Sequence, residues 1–595
     1  MTVKIKKASL NPTSYPMASD SRFAVAKSMA KGLATKFPDE THLERARAFC
    51  FQMISAYWDS RRQSLDCKWA LANGPTASPP EEPASRRLAS ELGEIAAEFS
   101  DCKASYLLGT IYTAMLPSGL RSELGAFYTP PHYVNRLMDA AGMAGFDWAR
   151  GRVIDPACGG GAFLTPVALR MLAAMDGGSA EFLLARIAAR LRGSELDPFA
   201  AWMSHVLLES ALLPWCVEAK KRMPRMITVG DSLDLLTLGE FDLVIGNPPY
   251  GRVTLSPERR EQYARSLYGH ANLYGLFTDL AIRLAKPGGI IAYVTPTSFL
   301  GGQYFKGLRE LLAKEAPPRY VDFIRHRDGV FDDVLQETML AVYRKGTPVA
   351  DVEVSCLEPQ GSEAVAVASA GSIKITEGGQ PWLLPRSVYQ AKFFAKLHVL
   401  TCRLQDCGYA VSTGPLVWNR HKGQLRSLKQ GKGVHPLVWA ESVTANRFAF
   451  KADRRNHVPY IQVSKDQSHL LVKNTCVLVQ RTTSKEQNRR LVAAVMPAAF
   501  AKKHGGAVVE NHLNMVYSAS DKGISPETIS AVLNSHALDA AFRCISGSVA
   551  VSAYELNALP LPDLQDLLSI QNLIENGADP VLVEKRLNKI YELET

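Results

Sequence analysis

Hydrophobic positions near the start of the chain recur at the spacing of an α-helix. The stretch from His42 to Gln63 carries apolar side chains near that spacing, at Leu43, Ala46, Phe49, Met53 and Ile54. A second helical stretch is predicted from Arg86 to Met115, and the prolines and small residues of GPTASPPEEPAS (Gly74 to Ser85) mark a linker between the two. Residues 1–115 are therefore predicted to form a helical region that begins with a basic, mobile tail.

After about Gly151 the pattern changes to short apolar strands that alternate with longer amphipathic segments. The strand candidates are RVIDPA, MITVGDS, FDLVIGN, IIAYVTP and YVDFI, with FLTPVALRMLAAM and LYGLFTDLAIRLAK as helices between them. This alternation predicts an α/β fold with right-handed crossovers, a mostly parallel sheet and a ligand at the carboxyl ends of its strands. We expect this domain to span residues 116–350.

Beyond about Thr347 the alternation gives way to short strand-like pieces, basic clusters and turns. The remaining stretch, residues 351–595, has the length of a typical domain and is predicted to be a separate, mixed α/β one.

The charge of the chain favours a polyanionic partner, although many basic proteins bind no nucleic acid. The formal net charge is +10, from 68 lysines and arginines against 58 aspartates and glutamates. The ten cysteines are scattered without a metal-site spacing, so no metal is expected. No apolar run is long enough to span a bilayer and the first residues lack a signal-peptide core, so a cytoplasmic protein is expected.

The first segment with chemical potential is VIDPACGGGAF, Val153 to Phe163. A strand ends at Asp155, and Gly159, Gly160 and Gly161 then allow a tight turn into a helix, where a ligand can lie against bare backbone. An ordinary tight turn would look the same. A nicotinamide site is less attractive, because the spacing is not G-x-G-x-x-G and the next acid, Glu195, lies farther on than about 20 residues.

Two more polar segments follow at predicted strand ends. Glu195 in GSELDPFA can accept both hydroxyl hydrogens of a ribose, and Asp231 and Ser232 in VGDSLDL can contact an adenine ring. Each acid alone could be a surface charge or a helix N-cap. Three acids at three successive strand ends favour a nucleoside site.

The most informative segment is FDLVIGNPPYGRV, Phe241 to Val253. Pro248 and Pro249 directly after a buried strand force the chain out of the sheet and remove two N–H donors, while the Pro248 carbonyl remains an acceptor. Asn247 adds an amide oxygen and Tyr250 an aromatic face. Two acceptors and a platform suit an exocyclic amino group on a planar ring. The alternative is a strand-terminating Pro-Pro loop.

In this order of motifs the chain resembles the gamma-class amino-methyltransferases of restriction–modification systems. The resemblance covers about Leu124 to Lys345 and, more loosely, the C-terminal region. It implies a Rossmann-like class I methyltransferase domain with a mostly parallel seven-stranded sheet, and S-adenosylmethionine as cofactor. It also assigns cofactor-contacting residues, which are Tyr128, Thr129 and Pro130 of GAFYTPPHYV on the methionine side, Asp155, Ala157, Gly159 and Gly161 of the glycine loop, Glu195, Asp231, Ser232 and Asn247. Gly160 departs from the family, which often has a small polar residue there.

The resemblance further implies a DNA substrate. VFDDVLQETMLAVYRK, Val330 to Lys345, is similar to a late hairpin motif in which Phe331 would pack against the target base, although a core aromatic is an equal alternative. Downstream basic side chains lie among Ser, Thr, Asn and Gln, which suits phosphate and base-edge contacts; they are Arg420, Lys422, Arg481, Lys485, Arg489 and Arg490. Any one cluster is more often a solvated surface.

We therefore expect a site-specific DNA methyltransferase that transfers a methyl group to N6 of a flipped-out adenine, with catalytic residues Asn247, Pro248, Pro249 and Tyr250. A separate cognate endonuclease is an expected partner. The Pro-Cys dipeptide of cytosine-C5 enzymes is absent. The alternatives are a cytosine-N4 target, a ribosomal RNA or protein-glutamine methyltransferase, and a catalytically idle DNA-binding subunit. A nuclease fused to the methyltransferase is a weaker alternative, because its only support is the tripeptide PDE at Pro38 to Glu40.

Overall fold

Helices build the N-terminal region. The computed structural model describes residues 17–75, 79–117, 119–121, 128–235, 239–324, 337–360, 364–375, 378–386, 391–483, 488–545 and 550–593. The first four helices are α1 Met17–Ala34, α2 His42–Ser64, α3 Pro83–Ala96 and α4 Asp101–Met115. The predicted helix at His42 is confirmed.

The structure corrects one expectation for this region and refines another. Residues assigned to a mobile tail form α1 instead, because Phe23, Ala26 and Ala30 give it an apolar stripe that is buried. The second helical stretch also divides into two helices. The break lies just before Asp101, where buried Phe99 and the helix-starting Ser100 separate α3 from α4.

A large mixed sheet follows. Its strands are β1 Val153–Asp155, β2 Leu191–Glu195, β3 Ile227–Val229, β4 Phe241–Gly246, β7 Ala285–Pro296, β8 Pro318–Ile324, β9 Thr338–Arg344, β10 Val352–Gln360 and β11 Ala364–Ile373; the short pair β5 Arg252–Val253 and β6 Ala271–Asn272 stands apart. The order is β11-β10-β8-β9-β7-β4-β1-β2-β3, and all neighbours are parallel except at β9 and β11. The predicted α/β fold with a mostly parallel sheet is confirmed.

The sheet differs from the expected seven strands by two. In β10, Val352, Val354 and Cys356 are buried while Glu353 is exposed, and the strand pairs in parallel with β8. Strand β11 then pairs back on β10. These strands come after residue 350, so the large sheet takes in residues that the sequence assigned to the next domain. The division of the chain into three domains stays a prediction.

Helices cover both faces of this sheet. They are α5 Pro131–Met143, α6 Leu164–Ala174, α7 Ala180–Arg190, α8 Pro198–Ala211, α9 Leu213–Ala219, α10 Pro257–Gln262, α11 Leu273–Leu284 and α12 Lys306–Glu315. Successive strand residues face opposite sides. Val153 and Leu243 belong to a core shared with α1–α8, whereas Ile154 and Val244 belong to a core shared with α11, α12 and the C-terminal region.

The C-terminal region combines two small sheets with helices. One sheet has the order β12-β22-β19-β20 and the other β13-β17-β14-β21-β18. The strands are β12 Tyr409–Thr413, β13 Leu425–Arg426, β14 Val434–Val438, β15 Val443–Thr444, β16 Arg447–Phe448, β17 Tyr460–Gln462, β18 Leu471–Val472, β19 Cys476–Gln480, β20 Ala493–Met496, β21 Ala507–Val509 and β22 Leu513–Ser518. The helices are α13 Ala391–Val399, α14 Ala498–His504, α15 Pro526–Leu533, α16 His536–Ile545, α17 Ala553–Ala558, α18 Leu564–Glu575 and α19 Pro580–Tyr591.

A buried arginine ties this region to the sheet. Arg309 of α12 is fully buried and donates to the carbonyls of Phe299 and Gly379 and to the hydroxyl of Tyr554 on α17. Among the residues described, no single helix is long and apolar enough to cross a bilayer. The adjacent helices α8 and α9 reach that length and apolar composition only when they are taken together, and a 67° bend separates them.

Candidate active site at the carboxyl edge of the sheet

A cavity of about 500 Å³ opens where β1, β2, β3 and β4 end. Its volume lies in the usual range of small-molecule sites. The structure brings nine of the predicted residues to its wall, which are Tyr128, Thr129, Ala157, Gly159, Glu195, Asp231, Ser232, Asn247 and Pro249. Pro130, Asp155, Gly161, Pro248 and Tyr250 lie behind this wall and do not line the cavity.

The glycine loop between β1 and α6 is shaped by backbone that only glycine adopts readily. Gly159 and Gly161 have φ of +51° and +86°. The N–H of Gly160 donates to the Tyr128 hydroxyl at 2.7 Å, and a Cβ on Gly160 would collide with that hydroxyl and with Met203. Glycine at this position, the departure from the family pattern, is therefore required by the way Tyr128 packs here.

Asp155 sits beneath the loop rather than in the cavity. It is 1% exposed, its Oδ1 accepts from the Ala157 N–H at 3.0 Å, and its Oδ2 has no hydrogen-bond partner in the described part of the chain. Burial raises the pKa of this carboxyl to about 8, against the opposing Ala157 bond and with a further rise from Glu195. It packs against Gly246, where a Cβ would approach Oδ1 to 2.6 Å.

Glu195 at the end of β2 is held by two backbone donors. Its Oε2 accepts from the Gly159 N–H at 2.8 Å and its Oε1 from the Asp197 N–H at 2.9 Å. Each oxygen keeps a lone pair for a further donor. Burial raises the pKa of Glu195, and the two N–H bonds oppose that rise. The geometry suits a vicinal diol that donates one hydroxyl to each oxygen.

Asp231 and Ser232, which follow β3, differ in the exposure of their side chains. The Ser232 hydroxyl is buried against the Pro156 carbonyl (2.5 Å) and the Ser194 hydroxyl (2.7 Å), so it braces neighbouring strand ends. Asp231 caps the next turn by accepting from the Leu233 N–H and forms an ion pair with Arg259 at 2.7 Å. Its carboxylate therefore holds a loop as well as facing the cavity.

Asn247 and Tyr250 meet directly. The Tyr250 hydroxyl lies 2.7 Å from Asn247 Oδ1 and 3.2 Å from the Val294 carbonyl, and Tyr250 is only 7% exposed. Its ring packs edge-on against Tyr274. The sequence predicted an open aromatic platform at Tyr250, whereas in this structure the ring is enclosed behind Asn247.

Sequence reasoning missed part of the wall. Asp197, 5% exposed, lines the cavity and caps α8, and the Asp-Pro pair at 197–198 is an N-cap signal that could have indicated it. The apolar side of the cavity comes from Leu233, Val253, Leu255, Leu273 and Phe277. No local motif marks these positions, because they come together only through the fold of the segment after β4.

The predicted DNA-contacting residues fall into four groups. Arg420 and Lys422 are exposed on the turn after β12. Arg481 and Arg489 are half-buried and donate to the Asn511 carbonyl and toward His536. Phe331 and Lys485 lie outside the described residues. Arg490 is 2% exposed and bonded to Thr483, so its side chain is part of the core and does not reach DNA.

The cavity fits the nucleoside and methionine parts of S-adenosylmethionine. Glu195 offers paired acceptors for a diol and the apolar wall offers a slot for a planar ring. Thr129 lines the cavity, and its buried Oγ1 has no partner among the described residues, so a polar part of a ligand could satisfy it.

Comparison with known proteins shows which families the chain resembles. Residues 217–331, which include Asp231 and the Asn-Pro-Pro-Tyr segment, match the family model Eco57I restriction-modification methylase. The chain is 26% identical over 486 residues to Type II methyltransferase M.BsuBI of Bacillus subtilis, covering 79% of this chain and 94% of the relative. It is also 26% identical over 365 residues to Type II methyltransferase M.PstI of Providencia stuartii, covering 60% and 71%.

A solved structure extends the likeness over the whole chain. The Type IIL restriction-modification enzyme MmeI, solved in complex with DNA, superposes with a TM-score of 0.52 at 13% identity, over 98% of this chain and 97% of that one. At this identity the match bears on the fold alone. The resemblance to restriction–modification methyltransferases drawn from the sequence is confirmed.

Proposed function

We propose that this chain, a relative of restriction–modification methyltransferases, uses S-adenosylmethionine to methylate N6 of adenine in duplex DNA. The observation that carries the proposal is that Asn247 and Pro249 line the same cavity as Glu195 and Asp231. An acceptor for an amino group thus stands beside a nucleoside-shaped site. We also propose residues 116–350 as the catalytic domain and residues 351–595 as the target-recognition domain.

The cofactor side is built from the strand ends. Bound S-adenosylmethionine would supply a methyl group that its sulfonium makes electrophilic. Glu195 is suited to the ribose hydroxyls because both of its oxygens are oriented by backbone N–H groups. Asp231 is suited to the adenine edge, and Tyr128 and Thr129, which also line the cavity, are suited to the methionine part.

On the substrate side, Asn247 Oδ1 would accept a hydrogen bond from the target amino group, and the carbonyl of Pro248, a residue that lies behind the cavity wall, is the proposed second acceptor. These bonds draw the nitrogen lone pair out of conjugation and aim it at the methyl group, so positioning supplies much of the rate. The amino nitrogen is itself the nucleophile and no covalent enzyme intermediate is needed. A base inside a duplex is inaccessible, so the target must leave the stack, at a cost of a few kcal/mol.

The proposed DNA substrate is supported by the positive charge of the chain. The net charge of +10 and the exposed Arg420 and Lys422 suit phosphate contacts in the C-terminal region. A separate endonuclease that cuts the same unmethylated site would complete a restriction–modification system, as expected for a relative of Type II methyltransferases.

The test identifies the methylated atom. Purified protein is incubated with duplex DNA and tritiated S-adenosylmethionine, and the DNA is digested to nucleosides for chromatography. We expect label in N6-methyldeoxyadenosine, and sequencing of DNA from an expressing host should place it at one recognition site. Label in N4-methyldeoxycytidine would keep the amino-group chemistry but replace the base. Label only in RNA or in protein would overturn a DNA substrate.

A further inference from the structure

The N-terminal helical region, to which the sequence assigns no chemistry, contacts two residues of the cavity wall, Tyr128 and Asp197, through α4. We propose that α4 supports the cofactor site from behind its wall and that its Tyr112 is a positioning residue for Glu195. This inference rests on the proposed function, because it concerns the same cavity.

The first link runs from Tyr112 to Glu195. The Tyr112 hydroxyl, 2% exposed, donates a short hydrogen bond to Asp197 Oδ2. Asp197 also lines the cavity, and its backbone N–H donates to Glu195 Oε1 at 2.9 Å. A change in how Asp197 is held therefore moves the donor that orients the proposed ribose carboxylate.

A second N-terminal donor completes the cage around Asp197. Arg47 of α2 donates to Asp197 Oδ1 at 2.8 Å, and the Phe199 N–H donates to the same oxygen at 3.0 Å. The Asp197 side chain is 4% exposed, so its charge needs these partners. Both long-range donors come from the N-terminal region and only the Phe199 bond is local. Without α2 and α4, a buried carboxylate at the cavity wall would lose its neutralising cation.

The second link runs from Gly109 to the glycine loop. Gly109 of α4 touches the Tyr128 ring so closely that a Cβ would overlap it. Tyr128 in turn accepts from the Gly160 N–H at 2.7 Å and lines the cavity. The bare backbone at Gly109 thus sets how near Tyr128 stands to the glycine loop.

The two links share one helix face. Ser105, Gly109 and Tyr112 are spaced i, i+4 and i+7, which places them on a single stripe of α4. Ser105 also hydrogen-bonds Thr165 of α6 at 3.2 Å, just beyond the glycine loop. This stripe of α4 therefore contacts α6, which follows the glycine loop, and Tyr128. It also contacts Asp197, whose backbone N–H orients Glu195.

The test compares Tyr112→Phe with a matched control, Tyr57→Phe. Tyr57 is 1% exposed, lies on α2 and accepts from Ser210 of α8, away from the cavity. Each variant removes one buried hydroxyl from an N-terminal helix. The Tyr112 hydroxyl contacts Asp197, the N-cap of α8, and the Tyr57 hydroxyl contacts Ser210 within α8. Calorimetry measures binding of S-adenosylhomocysteine and of its 2′,3′-dideoxy analogue, alongside the melting temperature.

We expect Tyr112→Phe to weaken S-adenosylhomocysteine about 2- to 30-fold, in the range of coupling through one positioning residue, and to leave dideoxy-analogue binding unchanged. Tyr57→Phe should change neither affinity. Arg47→Met should behave as Tyr112→Phe does, with partial recovery in Arg47→Lys, which keeps the charge. Because Arg47 is one-third exposed, these variants test the idea even if Tyr112→Phe folds poorly.

Two results would overturn the inference. If Tyr112→Phe weakened both ligands equally, the effect would be a general structural one. If Tyr112→Phe and Tyr57→Phe bound S-adenosylhomocysteine with equal affinity, the Tyr112 hydroxyl would have no specific role in positioning Glu195. Failure of the wild-type protein to bind S-adenosylhomocysteine is a different outcome, because it removes the proposed function together with this inference.

Discussion

The hydroxyl of Tyr250 lies 2.7 Å from Oδ1 of Asn247, and the tyrosine ring is 7% exposed. A phenol donates and an amide oxygen accepts, so the bond fixes which face of the Asn247 amide points into the cavity. Tyr250 thus acts on Asn247 in this structure rather than presenting an open face to a base. The amide oxygen keeps a second lone pair, which a target amino group can use.

This relationship makes Asn247 and Tyr250 separable in kinetics. Asn247→Ala should leave cofactor affinity near that of the wild type and lower kcat about 100- to 1000-fold, the loss typical of one preorganised polar group. Tyr250→Phe should lower kcat by only about fivefold, because about 1 kcal/mol of orientation is lost. Single-turnover methyl transfer with saturating DNA measures both. Robust transfer by Asn247→Ala would contradict the proposed acceptor role.

Much of the fold could be predicted because its signals are local. The strand that precedes Asn247 ends in the buried apolar run Leu243 to Gly246, as expected for a strand covered on both faces. The neighbouring strands β1 and β2 end on the acids Asp155 and Glu195, and Gly230 and Asp231 follow β3. Parallel strands bring those ends to one edge, so the neighbourhood of Gly159, Glu195, Asp231 and Asn247 follows from topology.

What could not be predicted depends on packing between distant segments. Tyr250 is enclosed because Tyr274 and the Val294 carbonyl approach it from α11 and β7. Arg490 looks like its neighbour Arg489 in sequence, yet only Arg490 is buried, against Phe542 of α16. The strands β10 and β11 were assigned elsewhere because the pairing of β10 with β8, which joins both strands to the sheet, has no local signature.

Cofactor affinity should depend on pH through Glu195. Burial raises the pKa of its carboxyl above the ordinary 4.5, and the proposed ribose contacts require the ionised form. Affinity should therefore be full above the raised pKa and fall as the pH drops through it. Glu195→Gln should remove this dependence and cost about 1.5–3 kcal/mol at neutral pH, the value of hydrogen bonds to a charged group. Calorimetric titration of S-adenosylhomocysteine between pH 5 and pH 8 is the measurement; parallel pH profiles for both proteins would rule the role out.

The stability of the unliganded protein should depend on pH through Asp155. The sign should be opposite to that of an ion-paired acid, because an ion pair lowers the pKa of an acid whereas burial raises that of Asp155. Its folded pKa of about 8 lies above the unfolded value, so the protonated form is favoured by folding. The contribution is full below the unfolded pKa and is lost as the pH rises through about 8. Asp155→Asn, which mimics the protonated acid, should therefore gain stability relative to the wild type between pH 5 and pH 9. Chemical unfolding at matched pH values checks this, and a constant difference would contradict it.

DNA binding should respond to Arg420 but not to an arginine on the far side of the sheet. Arg420→Ala should weaken binding and reduce the slope of log affinity against log salt by about 1, the effect of one lost phosphate contact. Arg150→Ala is the control, since Arg150 is exposed just before β1, at the amino edge of the sheet. Fluorescence anisotropy at several salt concentrations measures both slopes. Equal slopes for the wild type and Arg420→Ala would remove Arg420 from the DNA surface.

Arg259 should control how fast the cofactor leaves. It follows the Asn-Pro-Pro-Tyr segment, lines the cavity and pairs with Asp231 at 2.7 Å and Asp234 at 2.8 Å. These two ion pairs close the segment that carries Val253 and Leu255 over the apolar side of the cavity. Loss of both in Arg259→Met should release that segment and speed dissociation.

The expected change is modest and sensitive to salt. Partly exposed pairs are worth up to about 1 kcal/mol each, so dissociation of S-adenosylhomocysteine should be roughly fivefold faster in Arg259→Met. Arg260→Met is the control, because Arg260 bonds the Gly269 carbonyl and does not line the cavity. Stopped-flow displacement at low and high salt measures the rates. Because screening weakens exposed ion pairs, high salt should bring the wild type toward Arg259→Met while leaving Arg259→Met itself unchanged. An equal acceleration by salt in both proteins would mean that these pairs do not hold the cavity closed.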